Sequence, residues 1–257
     1  VVLARAERAT MDPPRDVQHA LRDLAERYPE CTIFAVAQPD ACFLGATPER
    51  LIALRHGLAS TMALAGSAPR GVTPAHDEAL AQQLLCSPKE RAEHAVVVGA
   101  LRDGLTRAGL CTRIIADARP RVQKLANVQH LLTPIRAQVV AGTDVLSLVA
   151  RLHPTPAVGG YPREAALRLI RDREGLDRGW YAGPIGWVDA RGDGEFVVGI
   201  RSALVRHGQA TLFAGCGIVA ESDAAAEYAE STWKLRPMRA ALGLDGERLS
   251  AMHRMSG

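Results

Sequence analysis

The chain has 257 residues, of which 47% are hydrophobic and 23% are charged, proportions typical of a globular protein with a full core. The formal net charge of +3 at pH 7 is too small to indicate a nucleic-acid or membrane-surface binder. The sequence has no apolar run as long as a membrane span and no signal-peptide core, so we expect a cytoplasmic protein that binds neither nucleic acid nor membrane.

The cysteines argue against a zinc site. They are five in number and widely spaced, without a Cys-x-x-Cys pair, at Cys31, Cys42, Cys86, Cys111 and Cys216. An odd number of scattered cysteines is typical of a protein in a reducing compartment.

The first half of the chain mixes strands and helices. Residues 1–5 form an apolar run of β type, and because the chain starts inside a strand we expect a fragment of a longer protein. Further strands are predicted at residues 31–38, 42–44, 51–55 and 58–64, and helices at residues 16–27 and 74–85. A third helix is predicted to start at Ser87-Pro88-Lys89-Glu90, with a serine N-cap, proline at the first position and glutamate at the third.

The second half continues without a repeat or a linker. Strands are predicted at residues 111–116, 134–140, 181–188, 195–205 and 209–214, with the last three forming a meander, and helices at residues 144–152, 163–173 and 223–242. Because strands and helices do not alternate strictly, we predict the α+β class. One domain is expected over residues 1–245, followed by a frayed tail over residues 246–257.

A glycine hinge precedes the last helix. After Gly215-Cys216-Gly217, the helix carries Glu227, Glu230 and Lys234 at a spacing that puts the three side chains on one face. The simplest reading is a surface ion pair between Glu230 and Lys234, worth only about 0.3–0.5 kcal/mol.

A second pair of carboxylates, Glu90 and Glu93, lies one helical turn apart in the third helix. Glu90 also fits a capping box, whereas Glu93 has no such structural reason. If the two acidic helices converge, the repulsion between like charges would favour a divalent cation with oxygen ligands.

Other polar positions have both structural and functional readings. Glu49 in Thr47-Pro48-Glu49 fits a solvated turn, and Gly66-Ser67 fits a tight turn. Arg201, predicted within a strand, requires an anionic partner if it is buried. His130 and His153 are more often structural than catalytic.

The motifs together resemble the chorismate-utilising enzymes, most closely the isochorismate synthases. They occur in order over nearly the whole chain: Gly45-Ala46-Thr47-Pro48-Glu49, Leu64-Ala65-Gly66-Ser67, Lys89-Glu90-Arg91-Ala92-Glu93-His94, Val128-Gln129-His130-Leu131, Leu152 to Pro162 with the sequence LHPTPAVGGYP, Trp180-Tyr181-Ala182-Gly183-Pro184, Ile200-Arg201, and the hinge with its helix. The resemblance implies a fold like that of anthranilate synthase component I, with two stacked sheets flanked by helices.

The resemblance also implies a magnesium ion that holds the ring carboxylate of chorismate. Glu93 and Glu230 would be its main ligands, with Glu90 and Glu227 in supporting or water-mediated roles. Glu49 would be the general acid that protonates the departing C4 hydroxyl, a role that needs a partly desolvated carboxyl.

The implied contacts to the substrate come from several elements. Arg201 would bind the carboxylate of the enolpyruvyl group in a bidentate manner. The implied substrate-binding residues are Gly66, Ser67, Tyr181, Arg201, Gly215 and Lys234.

The activity implied is Mg²⁺-dependent conversion of chorismate to isochorismate for siderophore or menaquinone synthesis, by a monomer. The isochorismate synthases have a lysine that activates water just before the strand that corresponds to residues 1–5. That position would precede Val1, so the chain as given is expected to be a weak or inactive catalyst. Two alternatives remain open: a salicylate synthase that also eliminates pyruvate, and a chorismate-binding protein without activity.

Overall fold

The computed structural model describes residues 1–107 and 109–244, and helices and strands are intermixed along this part of the chain. The helices are α1 (Val17–Arg27), α2 (Pro74–Cys86), α3 (Pro88–Arg107), α4 (Val145–Leu152), α5 (Arg163–Arg173) and α6 (Ala224–Ala241). The strands are β1 (Val2–Thr10), β2 (Thr32–Gln38), β3 (Ala41–Thr47), β4 (Arg50–Arg55), β5 (Leu58–Pro69), β6 (Cys111–Ala116), β7 (Arg121–Lys124), β8 (Val128–Val139), β9 (Pro184–Val188), β10 (Gly194–Val198), β11 (Ser202–Arg206) and β12 (Gln209–Gly217).

The strands form two sheets. One has five strands in the order β1-β12-β11-β3-β2, and the other has the order β6-β8-β5-β4-β10-β9 with β7 paired to β8. The pairs β2–β3, β3–β11 and β11–β12 in the first sheet, and β4–β5, β5–β8 and β4–β10 in the second, are antiparallel. The predicted α+β class is confirmed.

The chain divides into two compact units. The seven-stranded unit comprises residues 1–2, 49–175 and 182–198, and the five-stranded unit comprises residues 3–48, 176–181 and the described chain from residue 199 onward. The single domain over residues 1–245 stays a prediction, and the predicted tail over residues 246–257 lies outside the described residues. Among the residues that are described, no helix is both long and apolar enough to cross a membrane.

The core of the five-stranded unit lies between its sheet and two helices. Helix α1 begins after Asp16, whose Oδ1 accepts a hydrogen bond from the Gln18 N–H at 3.0 Å, and it buries Leu24 completely. Helix α6 buries Leu235 and Met238 in the same cluster as Leu44 of β3. The apolar faces of both helices therefore form this core together with the sheet.

Helix α3 supports the sheet of the seven-stranded unit. It begins at Pro88, and the Ser87 Oγ accepts a hydrogen bond from the Glu90 N–H at 3.3 Å, as the start signal predicted. The capping box is not completed, because the Ser87 N–H donates to the Gln83 carbonyl instead. The buried side chains of α3 include His94, Val97 and Leu101, which recur at helical spacing.

Two predictions about strands were wrong. Residues 195–205 do not form one strand of a meander, because β10 ends at Val198 in one sheet and β11 begins at Ser202 in the other. Arg201 lies in the bend between them with φ of 52°, a left-handed conformation that interrupts a strand. The strand predicted at residues 134–140 begins earlier, because β8 starts at Val128, and strand β7, where no element was predicted, pairs with it in the seven-stranded sheet.

Candidate active site

Glu49 is a buried carboxyl at the start of β4. Glu49 is only 6% exposed, and its Oε1 accepts a hydrogen bond from the Thr155 hydroxyl at 3.4 Å. Thr155 is itself 3% exposed and lies in the loop after α4. The Glu49 carbonyl also accepts the Val198 N–H at 3.0 Å. These contacts contradict the reading of Glu49 as a solvated turn residue.

Gly66 and Ser67 form a β-bulge, which excludes the reading as a tight turn. The pairing of β5 with β8 shifts register between Ala65 and Ser67, and Gly66 has φ of 77°. A Cβ on Gly66 would lie 3.2 Å from the Glu90 Oε2. A glycine is therefore required both for the backbone conformation and for the close approach of α3.

Ser67 is held on both sides by polar groups of the same unit. Its N–H donates to the Glu90 Oε2 at 3.1 Å, and its Oγ lies 3.0 Å from the Nδ1 of His130. The same Nδ1 lies 3.2 Å from the Gly66 carbonyl, and His130 is 6% exposed. A carbonyl acceptor favours a proton on Nδ1, so the Ser67 Oγ accepts from His130 and keeps its own hydrogen to donate.

The face of α3 beside the sheet is anchored by His94. Its Nδ1 lies 3.2 Å from the Ala65 carbonyl and its Nε2 lies 2.7 Å from the Thr133 Oγ1. Burial lowers the pKa of His94, so it is a neutral structural residue. Glu93, the preceding residue, is half-buried, and Glu90 lies one turn earlier on the helix.

In the five-stranded unit, two predicted metal ligands lie together at the beginning of α6. The Cys216 Sγ and one carboxylate oxygen each of Glu227 and Glu230 lie within 4.8 Å of one another. The Ser222 hydroxyl donates to the Glu227 Oε1 at 2.8 Å. Two carboxylates at this spacing suit a hard divalent cation.

Cys216 is not suited to join them as a metal ligand for magnesium. The pKa of its thiol is raised to about 11, mainly by burial; Glu230 and Glu227 act in the same direction, and Lys234 and Arg201 oppose them. The thiol is therefore protonated near neutral pH, and its Sγ donates to the Glu227 carbonyl at 3.3 Å.

Lys234 makes the predicted ion pair with Glu230. The Lys234 Nζ lies 2.6 Å from the Glu230 Oε1 and donates to the Gly215 carbonyl at 2.9 Å. The side chains are 16% and 28% exposed, so the pair is more shielded than an ordinary surface pair. The hinge strand β12 and helix α6 are joined through this lysine.

Arg201 is the most deeply buried charge among the predicted site residues of the five-stranded unit. It is 7% exposed, and burial lowers the pKa of its guanidinium while Cys31, Glu230 and Tyr181 act in the opposite direction. Arginine nevertheless stays protonated in proteins. The unit therefore keeps a permanent positive charge near the carboxylate of Glu230.

Tyr181 is positioned by ring packing. It is 6% exposed and stacks on Phe213, with ring centroids 5.3 Å apart and an interplanar angle of 15°. The guanidinium of Arg178 lies 5.9 Å from the Tyr181 ring centroid.

Lys124 and His153 are two further titratable residues whose pKa values are shifted by their surroundings. Lys124 pairs with Asp77 at 3.0 Å and with Glu78 at 3.1 Å, and the hydrogen bond to Asp77 is the main cause that raises the pKa of Lys124. Burial lowers the pKa of His153 to about 4, with Arg163 acting in the same direction. The buried His153 Nδ1 has no hydrogen-bond partner.

The structure brings the predicted residues together within each unit. Glu90, Gly66 and Ser67 are in direct contact in the seven-stranded unit, and Glu230, Lys234 and Gly215 are in contact in the five-stranded unit. The sequence analysis gave no role to Thr155 or Cys216, although both lie inside the motifs that it singled out. The only signal for Thr155 was its place within the Pro-rich loop.

Known proteins resemble this chain over almost all of its length. The family profile described as chorismate binding enzyme matches residues 1–243. The salicylate biosynthesis isochorismate synthase of Pseudomonas aeruginosa is 48% identical over 96% of this chain and 51% of its own length. Isochorismate synthase MenF of Bacillus subtilis is 42% identical over 96% of this chain and 52% of its own length. The chain thus spans about half the length of these curated relatives.

Solved structures give the same result. The crystal structure of DhbC from Bacillus anthracis has a TM-score of 0.91 at 38% identity, covering 95% of this chain and 66% of that chain. MenF, the menaquinone-specific isochorismate synthase from Escherichia coli, has a TM-score of 0.85 at 31% identity, covering 94% and 56%. From its sequence, its motifs and its fold, this chain belongs to the chorismate binding enzyme family.

Proposed function

We propose that the protein converts chorismate to isochorismate, by adding water at C2 and releasing the C4 hydroxyl. The observation that carries this proposal is the buried Glu49, whose carboxyl is held by the Thr155 hydroxyl. The names of the relatives, isochorismate synthases of two bacteria, support the same reaction.

Glu49 is the proposed general acid. A hydroxyl leaves readily only when it departs as water, so a proton must reach the C4 oxygen. The enclosure of Glu49 keeps bulk water from competing for that proton, and the hydrogen bond from Thr155 holds the carboxyl in one orientation.

Four cationic or hydrogen-bonding side chains are proposed to bind the substrate anions. Arg201 has the planar fork that suits a carboxylate, and its burial strengthens that interaction. Ser67 has a hydroxyl hydrogen that its His130 contact leaves available. Tyr181 and Lys234 are proposed to assist, and Gly215 leaves room for close approach of the substrate.

The carboxylates of this chain fit the oxygen-ligand preference of a magnesium ion. We propose Glu93 and Glu230 as the main ligands, with Glu90 and Glu227 in support. One oxygen of Glu90 already accepts the Ser67 N–H and one of Glu227 accepts the Ser222 hydroxyl, which agrees with supporting roles. When bound, magnesium would neutralise and orient the ring carboxylate of chorismate.

The test is incubation of the protein with chorismate and Mg²⁺, followed by chromatography of the products. Isochorismate without pyruvate is expected, and chelation with EDTA should abolish its formation. Salicylate with an equal amount of pyruvate would instead indicate salicylate synthase activity. No conversion, together with calorimetric binding of chorismate, would overturn the proposed reaction in favour of a binding protein.

One observation favours that last candidate. Addition of water at C2 needs a base, and two of the three lysines in the chain, Lys124 and Lys234, hold ion pairs with carboxylates. The hydrogen bond to Asp77 raises the pKa of Lys124, so this lysine keeps its proton near neutral pH. We also propose that the protein serves a siderophore or menaquinone pathway, lies in the cytoplasm and is a monomer. Size-exclusion chromatography would test the monomeric state.

A further inference from the structure

The seven-stranded unit contains a cavity of about 280 Å³ that includes none of the proposed site residues. Its walls are the second half of α3, the end of α4, the loop after it and the first residue of α5. Leu101, Leu152, Pro154 and Pro156 provide apolar surface. A volume near 300 Å³ with an apolar lining is the size of a small organic ligand.

A missing side chain helps to shape this cavity. Gly104 of α3 also lines it, and a Cβ at that position would lie 3.1 Å from the Leu152 Cδ2. Helices α3 and α4 can therefore approach closely at this point.

The charged lining of the cavity is mostly cationic. Arg107, Arg151 and Arg163 line it together with one acid, Asp103, so three positive charges and one negative charge leave an excess of two. The Arg107 Nη2 lies 3.4 Å from the Asp103 Oδ2, and both of these side chains are more than half exposed. This single pair does not neutralise the cavity.

The other two arginines keep donors for a ligand. The Arg163 Nη2 donates to the His153 carbonyl, an uncharged acceptor, which leaves the charge of Arg163 uncompensated by that contact. Arg151 has no ion pair within residues 1–107 and 109–244. Guanidinium groups beside an apolar surface are the typical means of binding a carboxylate or phosphate.

We propose that this cavity binds a small organic dianion, either a phosphate monoester or a dicarboxylate on an apolar body. The two excess positive charges select the dianion, and the surface of Leu152, Pro154 and Pro156 selects an organic body over an inorganic ion.

The ligand would act on the loop that carries Thr155. Pro154 and Pro156 line the cavity, and Thr155 between them turns its hydroxyl to Glu49. A ligand that contacts both prolines restricts the segment that orients the Glu49 carboxyl. This regulatory consequence rests on the proposed function, whereas binding of the dianion does not.

The test measures binding without turnover. Phenyl phosphate and isophthalate are titrated calorimetrically into the 257-residue chain in low-salt buffer, with phenol as the neutral control. We expect saturable binding of at least one dianion and none of phenol. Arg151→Gln and Arg163→Gln should each weaken binding about tenfold or more, as expected for a lost charge-assisted hydrogen bond. Arg168→Gln, an exposed arginine of α5 outside the cavity, should leave the affinity unchanged.

Hydrogen exchange identifies the place of binding. The bound dianion should protect backbone amides within residues 152–163 from exchange. Absence of saturable binding, equal weakening by Arg168→Gln, or protection confined to other segments would each overturn the proposal. If the protein turns out not to convert chorismate, the binding and exchange results still decide the question of this site.

Discussion

The two units position their polar site residues by different kinds of contact. In the seven-stranded unit, Ser67 and Glu49 are oriented by a histidine ring, a threonine hydroxyl and the backbone. In the five-stranded unit, Glu230 is paired to the Lys234 ammonium, and the Arg201 guanidinium is buried in the same unit. The first arrangement sets direction through hydrogen bonds of 3.0 and 3.4 Å, and the second sets electrostatic potential through charge.

The two kinds of contact predict which substitutions each unit tolerates. A directional contact is lost when one atom is removed but survives an isosteric exchange that keeps the acceptor. Removal of one charge from a buried pair leaves the other charge uncompensated, even when the new side chain has the same shape. Substitutions that separate shape from charge therefore test the comparison directly.

The largest effect is expected for Glu49→Gln. The amide keeps its size and can still accept from Thr155, but it cannot supply a proton, so kcat for chorismate conversion should fall by about 10²–10⁴. The calorimetric affinity for chorismate should change little. Thr155→Val, which removes only the hydrogen bond, should lower kcat by about tenfold. An unchanged kcat in Glu49→Gln would show that the carboxyl is not the general acid.

Arg201→Lys is expected to have the next largest effect. Lysine keeps the positive charge but not the planar fork, so kcat/KM should fall by about 10²–10³, mainly through a higher KM for chorismate. Arg206→Gln is the matched control, because Arg206 is exposed at the far end of β11 and pairs with Asp40. If both variants lower kcat/KM equally, Arg201 has no special contact with the substrate.

Thiol labelling compares cysteines of the two units without any substrate. With its pKa raised to about 11, Cys216 should react with iodoacetamide about two orders of magnitude more slowly at pH 8 than a free thiol with a pKa of about 8.5, and the exposed Cys86 serves as the comparison within the chain. Its labelling rate should rise about tenfold per pH unit until the pH approaches that pKa. Peptide mass spectrometry measures both rates, and equal labelling of the two thiols at pH 8 would contradict the shielded position of Cys216.

The smallest effect concerns the stability of the bulge. Glu90→Ala leaves the Ser67 N–H without the carboxylate acceptor that it now uses, which should lower the free energy of unfolding by about 1–2 kcal/mol. Glu90→Gln keeps an acceptor oxygen and should cost less. Urea denaturation distinguishes the two, and equal losses would show that the contact at 3.1 Å contributes nothing measurable.

Local signals predicted most elements of the fold. Ser87 and Pro88 marked the start of α3, because capping chemistry depends on neighbouring residues alone. The passage from β10 to β11 was missed because the apolar residues on either side continue the alternation of one strand. Residues 199–201 separate the two strands, and the positive φ of Arg201 could not be predicted, because arginine rarely adopts that conformation.

The motifs predicted which residues belong to the site but not which of them contact one another. Glu49, Ser67 and Glu230 were named from motifs, and the Glu230–Lys234 pair followed from helical spacing. The contact of Thr155 with Glu49 joins residues 106 positions apart, and no local pattern encodes it. The bulge at Gly66 was interpreted as a tight turn, because a glycine followed by a serine is compatible with either a turn or a bulge.

The left-handed backbone at Arg201 has a consequence for engineering. A side chain at φ of 52° costs the folded chain free energy that glycine or asparagine would not. Glycine at position 201 would relieve this cost but would also remove the buried guanidinium, so the two contributions to stability oppose one another. Any gain in heat resistance from a substitution at this position is expected to come at the expense of ligand recognition.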